Sequence, residues 1–154
     1  MSLFMCDGHS IGWVVVYLLR KIETMFSHVV VGTNDLEKAK RFYDAVLGAI
    51  GYGEGLSDDN DQRRRFAYRG DTGLFIITQP LDGRPATAAN GGTIGFACQS
   101  TTQVDLWHAA GVANGGISAE APPGVREAAF GSLYLAYLRD PDGNKLGALY
   151  RVPA

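Results

Sequence analysis

The chain has 154 residues, a net charge of −2 at pH 7 and a hydrophobic content of 46%, which suit one globular domain with a sizeable core. Because nonspecific attraction to the phosphates of a nucleic acid comes from a basic surface, this charge argues against nucleic acid as a partner. The two cysteines, Cys6 and Cys98, lie far apart and form no Cys-x-x-Cys pair. We therefore expect reduced thiols and a cytoplasmic location instead of a disulfide framework or a zinc ribbon.

The N-terminal segment, residues 1–24, contains an apolar run from Ile11 to Leu19. This run is too short to span a bilayer, and it has neither the preceding positive charge nor the cleavage site of a secretory signal. We therefore expect no membrane association and interpret the segment as an appended helix or strand of unknown role. The sequence leaves open whether it reflects an upstream start or a cloning remnant, since the first regular pattern begins at Met25.

The first half of the domain, residues 25–83, begins with a β-branched run after Phe26. Asn34 and Glu37 have capping-box spacing and predict that a helix starts there. The buried stripe of this helix is predicted at Leu36, Ala39, Phe42, Tyr43, Val46, Leu47 and Ile50, which recur with helical spacing. After a charged connection, FAYRG and GLFIITQP are typical of short strands joined by a glycine-containing turn.

The second half, residues 91–152, follows a linker rich in proline, glycine and alanine, and it repeats the same order of elements. The glycines of GGTIG are interpreted as linker flexibility, and TIGFACQ predicts a strand. The next helix is predicted to start at Ser100 or Thr101, to end at Gly115 and Gly116, and to bury Val104, Trp107 and Val112. Superposing the halves aligns His28 with Thr93, Tyr68 with Tyr137 and Ile77 with Gly147.

Two stretches carry a resemblance to a known family, namely HVVVGTNDLEKAKRFYDAVLG in the first half and YLAYLRDPDGNKLGALY at the end of the second. On these stretches, residues 25–152 resemble the vicinal oxygen chelate superfamily, which contains glyoxalases, ring-cleaving dioxygenases, epimerases and bleomycin-resistance proteins. The resemblance implies an α+β fold of two βαβββ modules that form a cup-shaped mixed sheet with helices on the outer face. It also implies a homodimer.

In the enzymes of this family the cup holds a divalent metal, and the resemblance implies four ligand positions. The first strands give His28 and Thr93, and the last strands give Gly147 and a position near Ile77. Only His28 keeps a family ligand, and Gln79 and the Thr93 hydroxyl are the nearest other donors. Because a catalytic divalent ion needs several converging ligands, no cofactor is predicted.

Pairing across the DPDGN turn predicts that Tyr137 lies opposite Gly147 on the cup side of the sheet. We favour an interpretation in which the Tyr137 ring covers the glycine; the other is that a ligand occupies this space. Tyr68, Tyr137 and Arg126 are further candidates for the binding site, although simple packing also accounts for the tyrosines. Two roles stay open for His28, namely a binding-site donor and a core histidine held by a carbonyl.

The favoured function is that of a metal-free superfamily member that binds a small, partly apolar molecule in the cup, because the acidic ligands are replaced while the scaffold is kept. The alternative is a lyase, isomerase or dioxygenase that uses a divalent metal with shifted ligands, or His28 as general base. A third hypothesis is an interaction module in which the N-terminal segment mediates assembly.

Overall fold

A computed structural model describes residues 25–60, 62–129 and 131–153 of the chain. The helix or strand predicted within residues 1–24 lies outside this range. The described residues form two helices and eight strands. Within this part of the chain, no helix is both long enough and apolar enough to cross a lipid bilayer.

The elements alternate in the same order in both halves. In chain order they are β1 (His28–Gly32), α1 (Leu36–Gly48), β2 (Leu56–Ser57), β3 (Arg65–Gly70), β4 (Gly73–Thr78), β5 (Ile94–Ala97), α2 (Thr101–Ala113), β6 (Ile117–Ala128), β7 (Gly131–Arg139) and β8 (Lys145–Arg151). They form two four-stranded sheets, β1-β4-β3-β2 and β5-β8-β7-β6, in which the first strand pairs in parallel with the last and the other pairs are antiparallel. The predicted α+β fold of two βαβββ modules forming a cup is confirmed.

Helix α1 buries every position that was predicted for its apolar stripe, although Ile50 lies just beyond the helix end. Its N-cap is Asp35, whose carboxylate accepts a hydrogen bond from the Lys38 backbone N–H, so the predicted cap at Asn34 is wrong by one residue. The cap must directly precede the first helical residue, and Asp35 holds that place with an extended backbone. The Asn34 side chain is used elsewhere, in hydrogen bonds to the Ala86 backbone.

Helix α2 begins after Ser100, one of the two predicted caps, whose hydroxyl accepts a hydrogen bond from the Gln103 backbone N–H. Its inward side differs from the prediction, because Val112 is 48% exposed. Gly111 is the buried residue in this turn, and a Cβ added there would lie 2.2 Å from Leu138 Cδ1. The missing side chain lets the α2 backbone approach β7 closely.

The hydrophobic core lies between the helices and one face of both sheets, and alternate residues of each strand contribute to it. On the last strands these are Phe75 and Ile77 of β4 and Leu146 and Ala148 of β8. The intervening residues point to the opposite face, which we call the cup face. The alternation therefore separates the side chains that face the cup from those that pack against the helices.

The strand registers correct the predicted correspondence between the modules. Val30 pairs with Ile76, and Gly95, which occupies the place of Val30 in the second module, pairs with Gly147. The counterpart of Gly147 is therefore Ile76, one residue before the predicted Ile77. The turn between β7 and β8 is longer than the turn between β3 and β4, so sequence similarity around the tyrosines misplaced this register.

The same registers separate the two tyrosines that the sequence aligned. Tyr68 pairs with Phe75, which faces the core, whereas Tyr137 pairs with Gly147, which faces the cup. Leu138, which is fully buried, is the true counterpart of Tyr68. The predicted equivalence of Tyr68 and Tyr137 is therefore wrong, and the two rings lie on opposite faces of their sheets.

The turn that connects β7 to β8 ties the two modules together through two carboxylates. Asp142 accepts hydrogen bonds from the Thr33 hydroxyl at 2.5 Å and from the Asn34 backbone N–H at 2.8 Å. Asp140, which is 4% exposed, accepts one from the Tyr43 hydroxyl at 2.6 Å. Burial, followed by the charge of Asp140, raises the pKa of Tyr43 well above its ordinary value, so the phenol stays protonated as the donor.

Candidate functional site

Residues that pair in register point to the same face, so the pairing divides the cup face into rows. The rows that contain the implied ligand positions are His28-Leu74-Arg69, Val30-Ile76-Ala67 and Gly95-Gly147-Tyr137. A metal would need ligands from the positions of His28, Ile76, Thr93 and Gly147, and of these side chains only the imidazole is a usual ligand. Nowhere in the described ranges do three or more His, Cys, Asp or Glu residues converge. The residues present do not fit a catalytic divalent ion.

His28 is exposed at the start of β1, and its Nδ1 atom lies 2.9 Å from Ser27 Oγ. This exposure contradicts the interpretation of His28 as a core histidine. Val29 and Val31 take the core positions of the strand, and alternation turns His28 to the cup face. When the Ser27 hydroxyl donates to Nδ1, Nε2 carries the proton and can donate to a ligand.

Gly147 lies directly under the Tyr137 ring. The two residues are paired as predicted, and a Cβ added at Gly147 would lie 3.0 Å from Tyr137 Cε1. Lys145 Nζ stands 4.7 Å from the centroid of the same ring and also pairs with the Glu120 carboxylate. The favoured interpretation of Gly147 is confirmed, because the ring occupies the space that a ligand would need at this position.

Three other candidates lie away from His28. Ile77 is fully buried and faces the helices. Gln79 is exposed beyond the end of β4 and lines a polar depression together with Arg63. Thr93 precedes β5 and lines a separate depression beside Lys145. The structure therefore does not bring Gln79 and Thr93 together with His28 as donors to one ion.

Arg126 and Tyr68 are both held by local hydrogen bonds. The Arg126 guanidinium donates to the carbonyls of Val125 at 3.1 Å and Pro122 at 2.8 Å, and all three residues belong to β6. The Tyr68 hydroxyl donates to Asp44 at 3.0 Å, and burial, followed by the Asp44 charge, raises its pKa. The Tyr68 hydroxyl is therefore not free for proton transfer at neutral pH.

A cavity of about 340 Å³ opens where the starts of β1 and β4 meet β5. It is lined by Met25, Phe26, His28, Val29, Leu47, Tyr52, Tyr68, Gly70, Thr72, Gly73, Leu74, Phe75, Ile94, Gly95 and Phe96. Phe75 of the first module and Phe96 of the second meet edge to face, with ring centroids 5.4 Å apart. The cavity is therefore built jointly by the two modules, with an aromatic wall at their contact.

Of the predicted site residues, His28 and Tyr68 line this cavity. Sequence reasoning missed Phe75 and Phe96, because no local pattern shows that residues of different modules will meet. It also misinterpreted Gly95, which was attributed to linker flexibility but lies inside β5. The signal available was its position one residue into a β-rich run, where glycine weakens a strand.

The comparison with protein families agrees with this architecture. The profile of the Glyoxalase/Bleomycin resistance protein/Dioxygenase superfamily matches residues 25–147. The chain belongs to this superfamily. A glyoxalase/bleomycin resistance protein from Albidiferax ferrireducens T118 is 58% identical and superposes with a TM-score of 0.78, over 83% of this chain and 100% of that chain.

Solved structures of lower sequence identity share the fold. A glyoxalase/bleomycin resistance protein/dioxygenase family enzyme from Burkholderia phytofirmans PsJN is 18% identical, with a TM-score of 0.61 over 82% of this chain and 98% of that chain. Lactoylglutathione lyase from Agrobacterium tumefaciens is 19% identical, with a TM-score of 0.58 over 84% of this chain and 95% of that chain. Among proteins with curated descriptions, none matches the chain.

Proposed function

We propose that this superfamily member binds a small, partly apolar molecule in the cavity between β1, β4 and β5, and that it does so without a catalytic metal. The observation that carries the proposal is the lining, in which aromatic and aliphatic side chains from both modules surround a space together with His28. Such a lining buries the apolar surface of a ligand, while a few polar groups fix its orientation.

The chemistry of the cup face supports the metal-free part of the proposal. Ile76 and Gly147 supply no oxygen or nitrogen donor from their side chains, and Thr93 lies in a different depression from His28. The Tyr68 hydroxyl is bound to Asp44, which leaves His28 as the one imidazole or carboxylate side chain in the lining that could accept a proton. Binding needs only an apolar lining and a polar contact, whereas catalysis would need further groups for proton transfer.

The competing function is an enzyme in which His28 acts as general base. It is favoured by one observation, the contact between His28 Nδ1 and Ser27 Oγ at the cavity. If Ser27 accepts from Nδ1, Nε2 is unprotonated and available as a base. General-base catalysis requires this tautomer, whereas binding is compatible with either one, so nitrogen chemical shifts that show a protonated Nε2 would exclude the base.

Metal content tests the metal-free part of the proposal directly. Protein purified without chelator is expected to carry substoichiometric zinc, iron, manganese and nickel by elemental analysis. One equivalent of any of these metals, lost in His28→Ala, would refute the proposal in favour of a metal-dependent enzyme. The matched control is His108→Ala, because His108 lies on α2 and outside the cavity lining.

Binding is tested with 2-naphthol, an apolar probe with one hydroxyl group. We expect a Kd on the order of 0.1 mM, which follows from about 0.5 kcal/mol for each of about eleven non-hydrogen atoms. His28→Gln should weaken binding about 3- to 10-fold by removing the polar contact, whereas His108→Gln should leave it unchanged. Equilibrium dialysis measures both, and equal losses in the two variants would contradict a role of His28 in the cavity.

We further infer a homodimer located in the cytoplasm, the latter from the cysteine usage alone. The dimer is supported by β6, an edge strand of the second sheet in which Ile117 is 68% and Val125 53% exposed. Exposed apolar edge strands tend to be covered by a partner. Light scattering is expected to give twice the 16.5 kDa chain mass, and Val125→Lys should reduce it. A monomer mass for the unmodified chain would refute the inference.

A further inference from the structure

Gly95 and Gly147 lie opposite each other on neighbouring strands of the cup face, but they differ in what covers them. A Cβ at Gly147 would meet the Tyr137 ring at 3.0 Å, whereas a Cβ at Gly95 would meet no heavy atom within 4 Å. Gly95 is also exposed. The row Gly95-Gly147-Tyr137 therefore contains one covered glycine and one bare glycine.

The fold itself gives no reason for glycine at position 95. Its φ angle lies outside the left-handed region that favours glycine, and its surroundings have room for a larger side chain. Glycine inside a strand weakens the sheet, because it has no side chain to pack and loses more backbone entropy on folding. The corresponding position of the first module is Val30, a residue that strands favour. The presence of glycine at position 95 of β5 therefore needs an explanation other than folding.

We propose that Gly95 is the platform on which a flat aromatic ring of the ligand lies. This inference rests on the proposed function and deepens it by naming the ligand class. Gly95 lines the same cavity as His28 and the Phe75 and Phe96 rings. The neighbouring Tyr137 ring already lies on the backbone of Gly147, so the row itself contains an example of an aromatic ring covering a strand glycine.

The same geometry defines the ligand as a planar aromatic compound with an oxygen atom at its edge. A planar ring can lie flat on the β5 backbone, whereas a puckered saturated ring of equal carbon number cannot. Phe75 and Phe96 border the same cavity from the core side of their strands, so the platform itself is formed by the β5 backbone. The edge oxygen is the group that His28 recognises through a hydrogen bond.

The experiment compares 2-naphthol with its saturated counterpart, decahydro-2-naphthol, on the full chain and on two variants. Gly95→Val fills the platform and is expected to weaken 2-naphthol binding at least about tenfold, with a Tm that is unchanged or higher. Ala97→Val is the matched control, because Ala97 is exposed two residues later on the same face of β5 and lies outside the lining. It should change the affinity less than about twofold. The unmodified chain should bind 2-naphthol about tenfold more tightly than the saturated alcohol.

The outcomes separate this inference from the proposed function. Unchanged 2-naphthol binding in Gly95→Val, with weaker binding in His28→Gln, overturns the platform and leaves the binding function standing. Equal affinity for the two probes overturns the aromatic class. A change in oligomer mass without a change in binding assigns Gly95 to a protein contact and also overturns the inference. If neither probe binds the unmodified chain, the proposed function fails. If Gly95→Val lowers the Tm, the smaller change Gly95→Ala replaces it in the test. Its expected loss of 2-naphthol affinity is about threefold.

Discussion

The hydrogen bond from Tyr43 to Asp140 crosses the boundary between the two modules, and its removal tests whether the turn before β8 holds them together. Tyr43 belongs to α1, whereas Asp140 precedes β8. The bond is 2.6 Å long, Tyr43 is fully buried and Asp140 is 4% exposed. Tyr43→Phe deletes the hydroxyl and leaves the ring packing intact.

The expected loss follows from the charge and burial of the acceptor. A hydrogen bond to a charged group contributes about 1.5–3 kcal/mol, and the carboxylate keeps other donors, the backbone N–H groups of Asp142 and Asn144. We therefore expect the free energy of unfolding to fall by about 2 kcal/mol. With a urea m-value of about 2 kcal/mol/M, the unfolding midpoint falls by about 1 M.

Tyr134→Phe is the matched control for this measurement. Its hydroxyl donates to Asp105 at 2.9 Å, so the same chemical group is removed from the same type of acceptor, but at the protein surface. The control should lose less than about 0.5 kcal/mol. Urea unfolding followed by circular dichroism measures both variants. Equal losses, or a loss below about 0.5 kcal/mol in Tyr43→Phe, would refute the argument that burial strengthens the contact between modules.

Three further predictions concern close packing and titration. Gly147→Ala should lower the free energy of unfolding by about 1–2 kcal/mol in urea titrations, because its Cβ displaces the Tyr137 ring; a more stable variant would contradict the contact. Gly111→Ala should lower the free energy of unfolding by about 1–3 kcal/mol, because the added Cβ would lie 2.2 Å from Leu138 Cδ1. This loss outweighs the better helix propensity of alanine. A higher Tm would instead show that α2 can move away. The pKa of Tyr43 is raised in the fold above its ordinary value of 10.0, so the stability it contributes is complete below pH 10 and falls above it, by up to about 1.4 kcal/mol per pH unit. The free energy of unfolding should fall between about pH 10 and 11, and Tyr43→Phe should make this slope shallower by the share of Tyr43, while the raised pKa of Tyr68 maintains the remainder.

Elements with a clear period were predictable from the sequence. The stripe of α1 is buried at every predicted position, and Ser100 caps α2 as its hydroxyl and spacing indicated. Helical periodicity and caps are local properties, so one chain segment contains all the information that they need. The predicted burial of Val112 is wrong because Gly111 is the residue of this turn that faces the core. With no side chain, Gly111 lets the α2 backbone pack directly against β7.

The candidate site was less predictable, because it depends on register and on contacts between modules. A shift of one residue turns a side chain to the other face of a sheet, and such a shift separates Tyr68 from Tyr137. The DPDGN turn was recognised as a hairpin signal, but the contacts of Asp140 and Asp142 with the other module have no local signature. The meeting of Phe75 with Phe96 is equally non-local.

The packing of Tyr137 on Gly147 explains why one substitution would not create a metal site. Any side chain at position 147 must first displace the Tyr137 ring, which also contacts Lys145. Even with a carboxylate there, the equivalent position of the first module carries Ile76, a buried residue that supplies no donor. A ligand set would therefore require coordinated changes on both last strands and the removal of a packed ring. The covered Gly147 and the bare Gly95 lie in one row of the cup face, and the platform proposed above would account for both.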